Sequence, residues 1–240
     1  MSDSIGPKYE WDKLTSFFRE FPRSDRWLPA LKRHAGLVEE WRGKVGLTSV
    51  PLELVVSRHY GESLEAWRLC GAPGGGVVVD VGAGAGFPGL VAAAVSPDTQ
   101  VHLVESNRRR VAFLELAARE MGLGNVDVYA LRAEEAGRGP LRETAQLVLA
   151  RAVAPLRTLL EYAGPLCRPG GLLGFPKGTS AEIEIREAAN ACSELGIEFV
   201  ERKKMRTEVS WTPWVVIFRK SGSTPDGYPR RSGVPGARPL

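Results

Sequence analysis

The stretch "VVVDVGAGAGFPG", residues 77–89, decides how the rest of the chain is read. A run of valines, short enough for one buried strand, meets four glycines within eight positions: Gly82, Gly84, Gly86 and Gly89. Gly84, Gly86 and Gly89 spell G-x-G-x-x-G, the spacing that lets a backbone approach a pyrophosphate. Counted from Asp80, the same residues spell D-x-G-x-G, an acid set directly before a tight turn. Glycine permits the sharp turn and a close ligand in either case. The two spellings suit ligands of different charge, so the flanking sequence must choose.

Downstream of this loop, strands and helices alternate. "FPGLVAAAV" reads as a helix, "QVHLVE" as a second strand, and "SNRRRVAFLELAAREMG" as an amphipathic helix capped by Ser106 or Asn107 and ended by Gly122. "VDVYAL" and "QLVLAR" are the third and fourth strands, and "PLRTLLEYAGPLC" is a helix. "PGG" turns into a fifth strand, "LLGF", and "AEIEIREAANACSEL" is a further helix. "EFVERKK" and "WVVIFRK" then follow each other with no helix between them. Alternation of this kind predicts a mostly parallel sheet covered on both faces, and the last two strands predict an antiparallel terminal hairpin. The expected fold is therefore α/β, Rossmann-like, with seven strands.

Residues 9–70 read as helical, with Trp11, Leu14, Phe17 or Phe18 and Phe21 at helical spacing and Trp27, Leu31, Val38 and Trp41 repeating it. Pro22, Pro29 and Pro51 punctuate these segments. "APGGG", residues 72–76, marks a boundary. The expected organisation is a helical N-terminal region over 1–72, a ligand-binding domain over 73–220 and a basic tail over 221–240, whose Gly and Pro alternation predicts no packed element. His34 reads as a helix-surface residue and His102 as strand packing.

Of the 240 residues, 43% are hydrophobic and 25% charged, ordinary for a soluble globular protein. No apolar run is long enough to span a bilayer, and "MSDSIGPKYEWDK" has no apolar signal core, which points to a cytoplasmic protein without a membrane partner. Cys70, Cys167 and Cys192 are widely spaced and form no C-x-x-C, arguing against a zinc site and for a reducing compartment. The net charge of +4 is modest, but arginines and lysines bunch at 108–110, at 202–204 with 206, and at 230, 231 and 238, which suits either a polyanion partner or a solvated face.

Asp80 settles the glycine loop. A carboxylate there repels a pyrophosphate and favours a ligand carrying an ammonium and a sulfonium, such as S-adenosylmethionine. Glu105 follows at the end of the second strand, where an acid grips ribose hydroxyls, and Arg132-Ala133-Glu134-Glu135 follows the third, where an adenine edge would lie. The hairpin ending also fits a class I S-adenosylmethionine-dependent methyltransferase fold better than a dehydrogenase, and the chain has little room for a dehydrogenase's substrate domain.

The acceptor is read by elimination. The segment after the fourth strand is "LARAVAPL", with Arg151 where amino-group methyltransferases of bases carry an Asn/Asp-Pro-Pro-aromatic loop. No cysteine nucleophile lies there for carbon methylation. Lys177 could act as a base, but it lacks the partners of a ribose methyltransferase. An atom already nucleophilic at neutral pH remains, and guanine N7 is one.

Several segments together resemble one family, the bacterial small-subunit ribosomal RNA guanine-N7 methyltransferases, also called glucose-inhibited division protein B. They are "GLTSV" with "RHYGESL", "DVGAGAGFPG", "ESNRRRVAFL", "LRAEE", "ARAVAPL", "PGG" with "FPKG", and "YPRRSGVPGARPL". The resemblance implies that Gly82, Phe87, Ala133, Glu134 and Arg151 contact S-adenosylmethionine, joining Asp80, Gly84 and Glu105. It implies a guanine of 16S ribosomal RNA near the decoding region of the small subunit as target. It places Arg58 and His59, and the tail residues Arg230 and Arg231, near RNA. Arg151 is the expected catalytic-site residue, and no metal is expected. The chain departs from the family at Gly46, where Asn is common, at Glu62, where Asp is usual, and in the tryptophan pair of "WTPWVVIF". Methylation of another substrate, or RNA binding without catalysis, stays open; the acid beside the glycine loop argues for catalysis.

Overall fold

The computed structural model describes residues 9–206 and 213–240. Trp211 of the tryptophan pair lies outside them. Seven strands form one sheet: β1 (Val77–Val81), β2 (Gln100–Val104), β3 (Val126–Tyr129), β4 (Ala145–Ala150), β5 (Cys167–Lys177), β6 (Ile197–Lys204) and β7 (Trp214–Lys220). Their spatial order is β3-β2-β1-β4-β5-β7-β6. The first five strands pair in parallel, while β7 runs antiparallel between β5 and β6. The order reverses between β1 and β4, the position at which such sheets bind ligands beyond their carboxyl ends.

Successive strand residues face opposite sides, and both sides are apolar. Val78, Val101, Leu103, Leu147 and Leu149 pack with α3 (Gly89–Val95), α4 (Arg108–Met121) and the N-terminal helices. Val79, Val81, Val104, Val148 and Leu173 pack with α5 (Ala133–Arg138), α6 (Leu156–Ala163), α7 (Ala181–Glu187) and α8 (Ala189–Leu195). Asn107, not Ser106, caps α4, accepting from the amides of Arg109 and Arg110, and Gly122 closes it in the left-handed conformation. The segment expected as one helix over 181–195 is two, broken at Ala188. "PGG" lies within β5 instead of forming a separate turn before it.

The N-terminal region is helical, as its spacing predicts. A 3-10 turn (Trp11–Phe17) precedes α1 (Ser24–Val45), and a π-helical turn (Val56–Gly61) leads into α2 (Glu62–Leu69). Helix α1 runs through Pro29, giving up one backbone hydrogen bond, and ends at Gly46 with φ +62°. Glycine or asparagine suits that left-handed position, so the family departure there is conformationally neutral.

The tail contradicts its composition. It packs along α5 and α6 and contains α9 (Val234–Ala237). Charged side chains from the sheet domain satisfy its backbone. Arg142 donates to the Tyr228 and Thr224 carbonyls at 2.8 and 2.7 Å, Arg138 to that of Pro229 at 2.8 Å, and Glu143 accepts from the Thr224 amide at 2.5 Å.

Candidate active site

Because β1 to β4 are parallel, the segments after them converge at one edge. Val81 and Gly82, Val104 to Ser106, Leu131 to Glu134, Val153 and Tyr162 line a single crevice there. Expected residues Gly82, Glu105, Ala133 and Glu134 are thus brought together. Val153 and Tyr162 were not singled out from the sequence; only the proximity of Val153 to Arg151 pointed to it.

The four glycines do separate jobs. Gly82 and Gly84 are left-handed, with φ +67° and +56°. A Cβ on Gly84 would meet only the Gly82 carbonyl oxygen, at 3.7 Å, so the turn presents bare backbone. Gly86 and Gly89 serve packing: a Cβ would come within 2.4 Å of Leu90 and of Leu103, respectively. At Gly89 it would also strike Asp80. The Glu105 carboxylate ties this turn to the next strand, accepting from the Gly84 amide at 3.0 Å and from the Asn107 amide at 2.8 Å. Each of its oxygens keeps a further lone pair for a hydroxyl.

Asp80 is not exposed at the crevice, as its position before the glycines suggested. It is fully buried beneath the loop, where Oδ2 accepts from the Gly89 amide at 2.8 Å. Oδ1 has no partner among the described residues. Burial raises its pKa to about 7, against the pull of the Gly89 amide and the Arg151 charge, and the Glu105 charge adds to the rise.

Phe87 also turns inward. Its buried ring stacks on His59 at 4.5 Å and meets the rings of His34 at 5.0 Å and Tyr60 at 5.1 Å. Contact between this residue and a cofactor would therefore fall to its backbone. His34 corrects the surface assignment outright, for it is completely buried. Its Nε2 donates to the Ala85 carbonyl at 2.9 Å and its Nδ1 accepts from the Tyr60 hydroxyl at 3.1 Å, so both nitrogens are committed. Burial brings its pKa down to about 4, opposed by the Ala85 hydrogen bond. Spacing with Leu31 and Val38 on the apolar stripe of α1 was the available signal.

Arg58 and His59 do not face outward toward RNA; both are buried. They hold Arg151, whose guanidinium donates to the Arg58 carbonyl at 2.9 Å and to His59 Nδ1 at 2.8 Å. It lies 3.5 Å from Glu62 and 5.2 Å from the Phe87 ring centroid. Since a guanidinium only donates, His59 Nδ1 carries the lone pair and Nε2 the proton, which goes to the Thr48 hydroxyl at 2.7 Å. Burial, then the Arg151 charge, depress the His59 pKa to about 2. The imidazole is a neutral prop. Glu62, the family departure, reaches Arg58 Nε at 3.3 Å as well as Arg151.

Arg230 is likewise engaged: its guanidinium meets the fully buried Glu161 at 2.6 and 2.9 Å. Arg231 is exposed, as are Arg108 and Arg109. Glu134, which borders the crevice, accepts from the Gly233 amide at 2.8 Å, so its side chain holds the tail. His102 lies in β2 against Tyr129, consistent with packing. Cys70 and Cys167 are buried, and burial pushes both thiols up to about 12. Among the described residues no acid, histidine and cysteine cluster could hold a metal ion, and no helix is long and apolar enough to cross a membrane.

The donor set suits S-adenosylmethionine. A carboxylate closes β2, apolar walls from Val104, Leu131 and Val153 stand beside it, and the turn at Gly82 and Gly84 leaves its backbone bare. A buried carboxyl oxygen, Oδ1 of Asp80, lies beneath that turn with no partner among the described residues. When bound, the cofactor supplies the electrophilic methyl group.

Comparison with known proteins agrees. Among solved structures, the chain is similar to an S-adenosylmethionine-dependent O-methyltransferase from Thermotoga maritima, with a TM-score of 0.54, 16% identity, and 79% of this chain and 73% of that one covered. It is also similar to TYW2 from M. jannaschii in complex with AdoMet, at TM-score 0.50 and 19% identity, covering 65% and 74%. These likenesses show the fold. Among curated proteins, "Ribosomal RNA small subunit methyltransferase G" of Desulfitobacterium hafniense is 38% identical, covering 86% of this chain and 87% of its own length. The protein of the same name from Roseiflexus castenholzii is 36% identical, covering 90% and 92%. The family model for GidB, rRNA small subunit methyltransferase G, matches residues 28–210. With its crevice at the switch point of a methyltransferase sheet, the chain belongs to the GidB family of S-adenosylmethionine-dependent small-subunit ribosomal RNA methyltransferases.

Proposed function

We propose that the methyl group goes to N7 of a guanine in 16S ribosomal RNA, presented in the cytoplasm by the small ribosomal subunit. The observation that carries this reading is the chemistry beside the crevice. His59 and Arg151 hold each other, one neutral with its lone pair engaged and the other a permanent cation, so neither serves as a base at neutral pH. No thiol lines the crevice to offer a covalent route: burial pushes Cys70 and Cys167 up to about 12 and the half-buried Cys192 up to about 11, so all three are protonated at neutral pH. Guanine N7 already bears an in-plane lone pair, and its methylation needs position and exclusion of water rather than proton removal.

In this reading Glu105 accepts from the ribose hydroxyls, the backbone at Ala133 and Glu134 borders the adenine, and the turn at Gly82 and Gly84 takes the amino-acid end. Arg151 positions the cofactor and the incoming base. Phosphate contacts fall to Arg108, Arg109 and Arg231, which are exposed, in place of Arg58, His59 and Arg230. The test is transfer of labelled methyl from S-adenosylmethionine to small subunits from cells lacking the enzyme. Borohydride and aniline then cleave RNA at N7-methylguanine. Labelled 16S RNA that resists cleavage would exclude N7; unlabelled subunits would exclude the whole reading.

A further inference from the structure

The segment that carries Arg151 away from β4 is bent against local preference. Ala152 has φ +58°, a left-handed conformation disfavoured for any residue with a Cβ. Such a bend persists only when its surroundings hold it, and here it is held on both sides. Upstream, Arg151 is fastened to Arg58 and His59. Downstream, the anchor is Lys177, the lysine of "FPKG" at the end of β5. Its Nζ donates to the Ala154 carbonyl at 2.8 Å and to Glu184 Oε2 at 2.8 Å. The same Oε2 accepts from the Leu156 amide, opening α6, at 3.0 Å, and Oε1 accepts from the Ser180 hydroxyl at 2.9 Å.

Between the two anchors, Val153 forms one wall of the crevice and packs onto the glycine turn, where a Cβ on Gly82 would lie 2.7 Å from its Cγ2. Relaxation of the bend would therefore shift a crevice wall and Arg151 together. We propose that Lys177 is a positioning residue for methyl transfer: with Glu184 it clamps Ala154 and Leu156, keeps Ala152 in its bent conformation, and so sets Arg151 and Val153. The ammonium has no lone pair while it donates to a carbonyl and a carboxylate, so it acts through the loop and not as a base. The proposal rests on the methyltransferase reading of the crevice.

Lys177→Met removes the clamp and keeps the aliphatic stem. Turnover on small subunits is expected to fall about tenfold and cofactor affinity a few-fold, with the shape of the pH–rate profile unchanged. Adding Ala152→Gly to that variant should bring turnover back to within about threefold of the wild type, because glycine keeps the bend without a clamp. Wild-type turnover and affinity in Lys177→Met would overturn the proposal. A loss that Ala152→Gly does not restore would overturn it too, and a changed pH profile would then assign the amine a direct part in the chemistry. Should Lys177→Met not fold, Glu184→Gln takes its place, keeping an acceptor while removing the charge. A fall in turnover restored by Ala152→Gly supports the clamp, and wild-type turnover sinks it. Wild-type enzyme that labels no subunit defeats the methyltransferase reading instead, so the two failures are distinct.

Discussion

The two flanks of the crevice are secured by opposite means. On the glycine-loop side, the N-terminal helices close over the turn with rings: His34, His59, Tyr60 and Phe87 pack edge and face, and both histidines are neutral. On the α5 and α6 side, the tail is strapped down by charge, through Arg230 on Glu161, Glu134 on the Gly233 amide, and Arg138 and Arg142 on tail carbonyls. A clasp of neutral rings is insensitive to salt, but its histidines make it sensitive to acid. A strap made of one partly exposed ion pair and of charged side chains on backbone groups responds to the loss of one charge and, weakly, to salt.

The glycine turn is where the clasp meets the ligand, and breaking it has the largest expected effect. Gly84→Val places a β-branched side chain at φ +56°, on the backbone a ligand must approach. S-adenosylhomocysteine affinity measured by calorimetry should fall at least about a hundredfold, or ~2.7 kcal/mol. Unchanged affinity in a folded variant would remove the turn from the site.

Acid should loosen the clasp next. Unfolded His34 takes a proton near pH 6.5, whereas the native imidazole resists it down to about 4. Its stabilisation is complete above the unfolded value and is lost as pH falls, at about 1.4 kcal/mol per unit and roughly 3 kcal/mol in all. His59 acts in the same direction over a wider range. Asp80 opposes them: its native pKa of about 7 lies above the ordinary 3.8, so in that window the native state takes its proton first. One histidine of the clasp is thereby offset and the slope of the other remains between pH 6.5 and 4, while His102, whose pKa burial also lowers, adds in the same direction. His34→Gln, which keeps a donor for the Ala85 carbonyl, should lower the slope by about one histidine in urea titrations. An equal slope in both proteins would mean that the clasp is not the acid-sensitive part.

Arg151 tests the clasp at its inner end. Lysine keeps the charge but cannot hold both the Arg58 carbonyl and His59 Nδ1 in one planar fork. Arg151→Lys should lower turnover about tenfold, ~1.4 kcal/mol of barrier, and His59→Phe, which keeps the stack on Phe87 but removes the acceptor, should do nearly as much. Full turnover in both would leave Arg151 without a part in the reaction.

What sequence showed and what it hid divide along the same line. The alternation of strands and helices, the terminal hairpin, the glycine turn and Glu105 were legible because hydrophobic period and turn chemistry are local. The motif containing Phe87, and the Arg58-His59 pair, could be recognised, but not the side to which each points. That direction depends on how the π-helical turn meets the loop, a contact between distant residues. The tail was hidden most completely. Glycine and proline alternation reads as disorder, while the partners that order it, Arg142, Glu134 and Glu161, lie 69 to 99 residues upstream of the groups they bind. His34 was readable, since it sits on an apolar stripe.

A weaker effect should follow from cutting the strap. Arg230→Met leaves Glu161 buried without its cation, and the tail loses its firmest anchor. Glu134 and Tyr162 border both the tail and the crevice, so cofactor affinity should weaken about threefold, ~0.7 kcal/mol, while the tail becomes open to protease. Raised salt should move the wild type slightly the same way and leave the His34 side unaffected. A protected tail in Arg230→Met would show that packing, not charge, holds it.

The smallest expected effect is on turnover with pH, and it separates cofactor binding from chemistry. Asp80 is buried beneath the glycine turn, and that burial holds its pKa at about 7 against the Gly89 amide and the Arg151 charge, with the Glu105 charge adding to the rise. Its ionised form favours a cationic ligand, so S-adenosylmethionine affinity should improve as pH rises through 7 and then level off. Binding in turn stabilises the carboxylate, by the same linkage. At saturating cofactor Asp80 is already ionised, Arg151 is a permanent cation and His59 is neutral throughout. If guanine N7 is the nucleophile, no proton must leave, and turnover should stay flat from pH 7 until RNA or protein itself titrates. Asp80→Asn should remove the pH dependence of affinity and leave the flat turnover flat. A saturated rate rising about tenfold per pH unit would reveal a base that neither flank supplies, and a target atom other than N7.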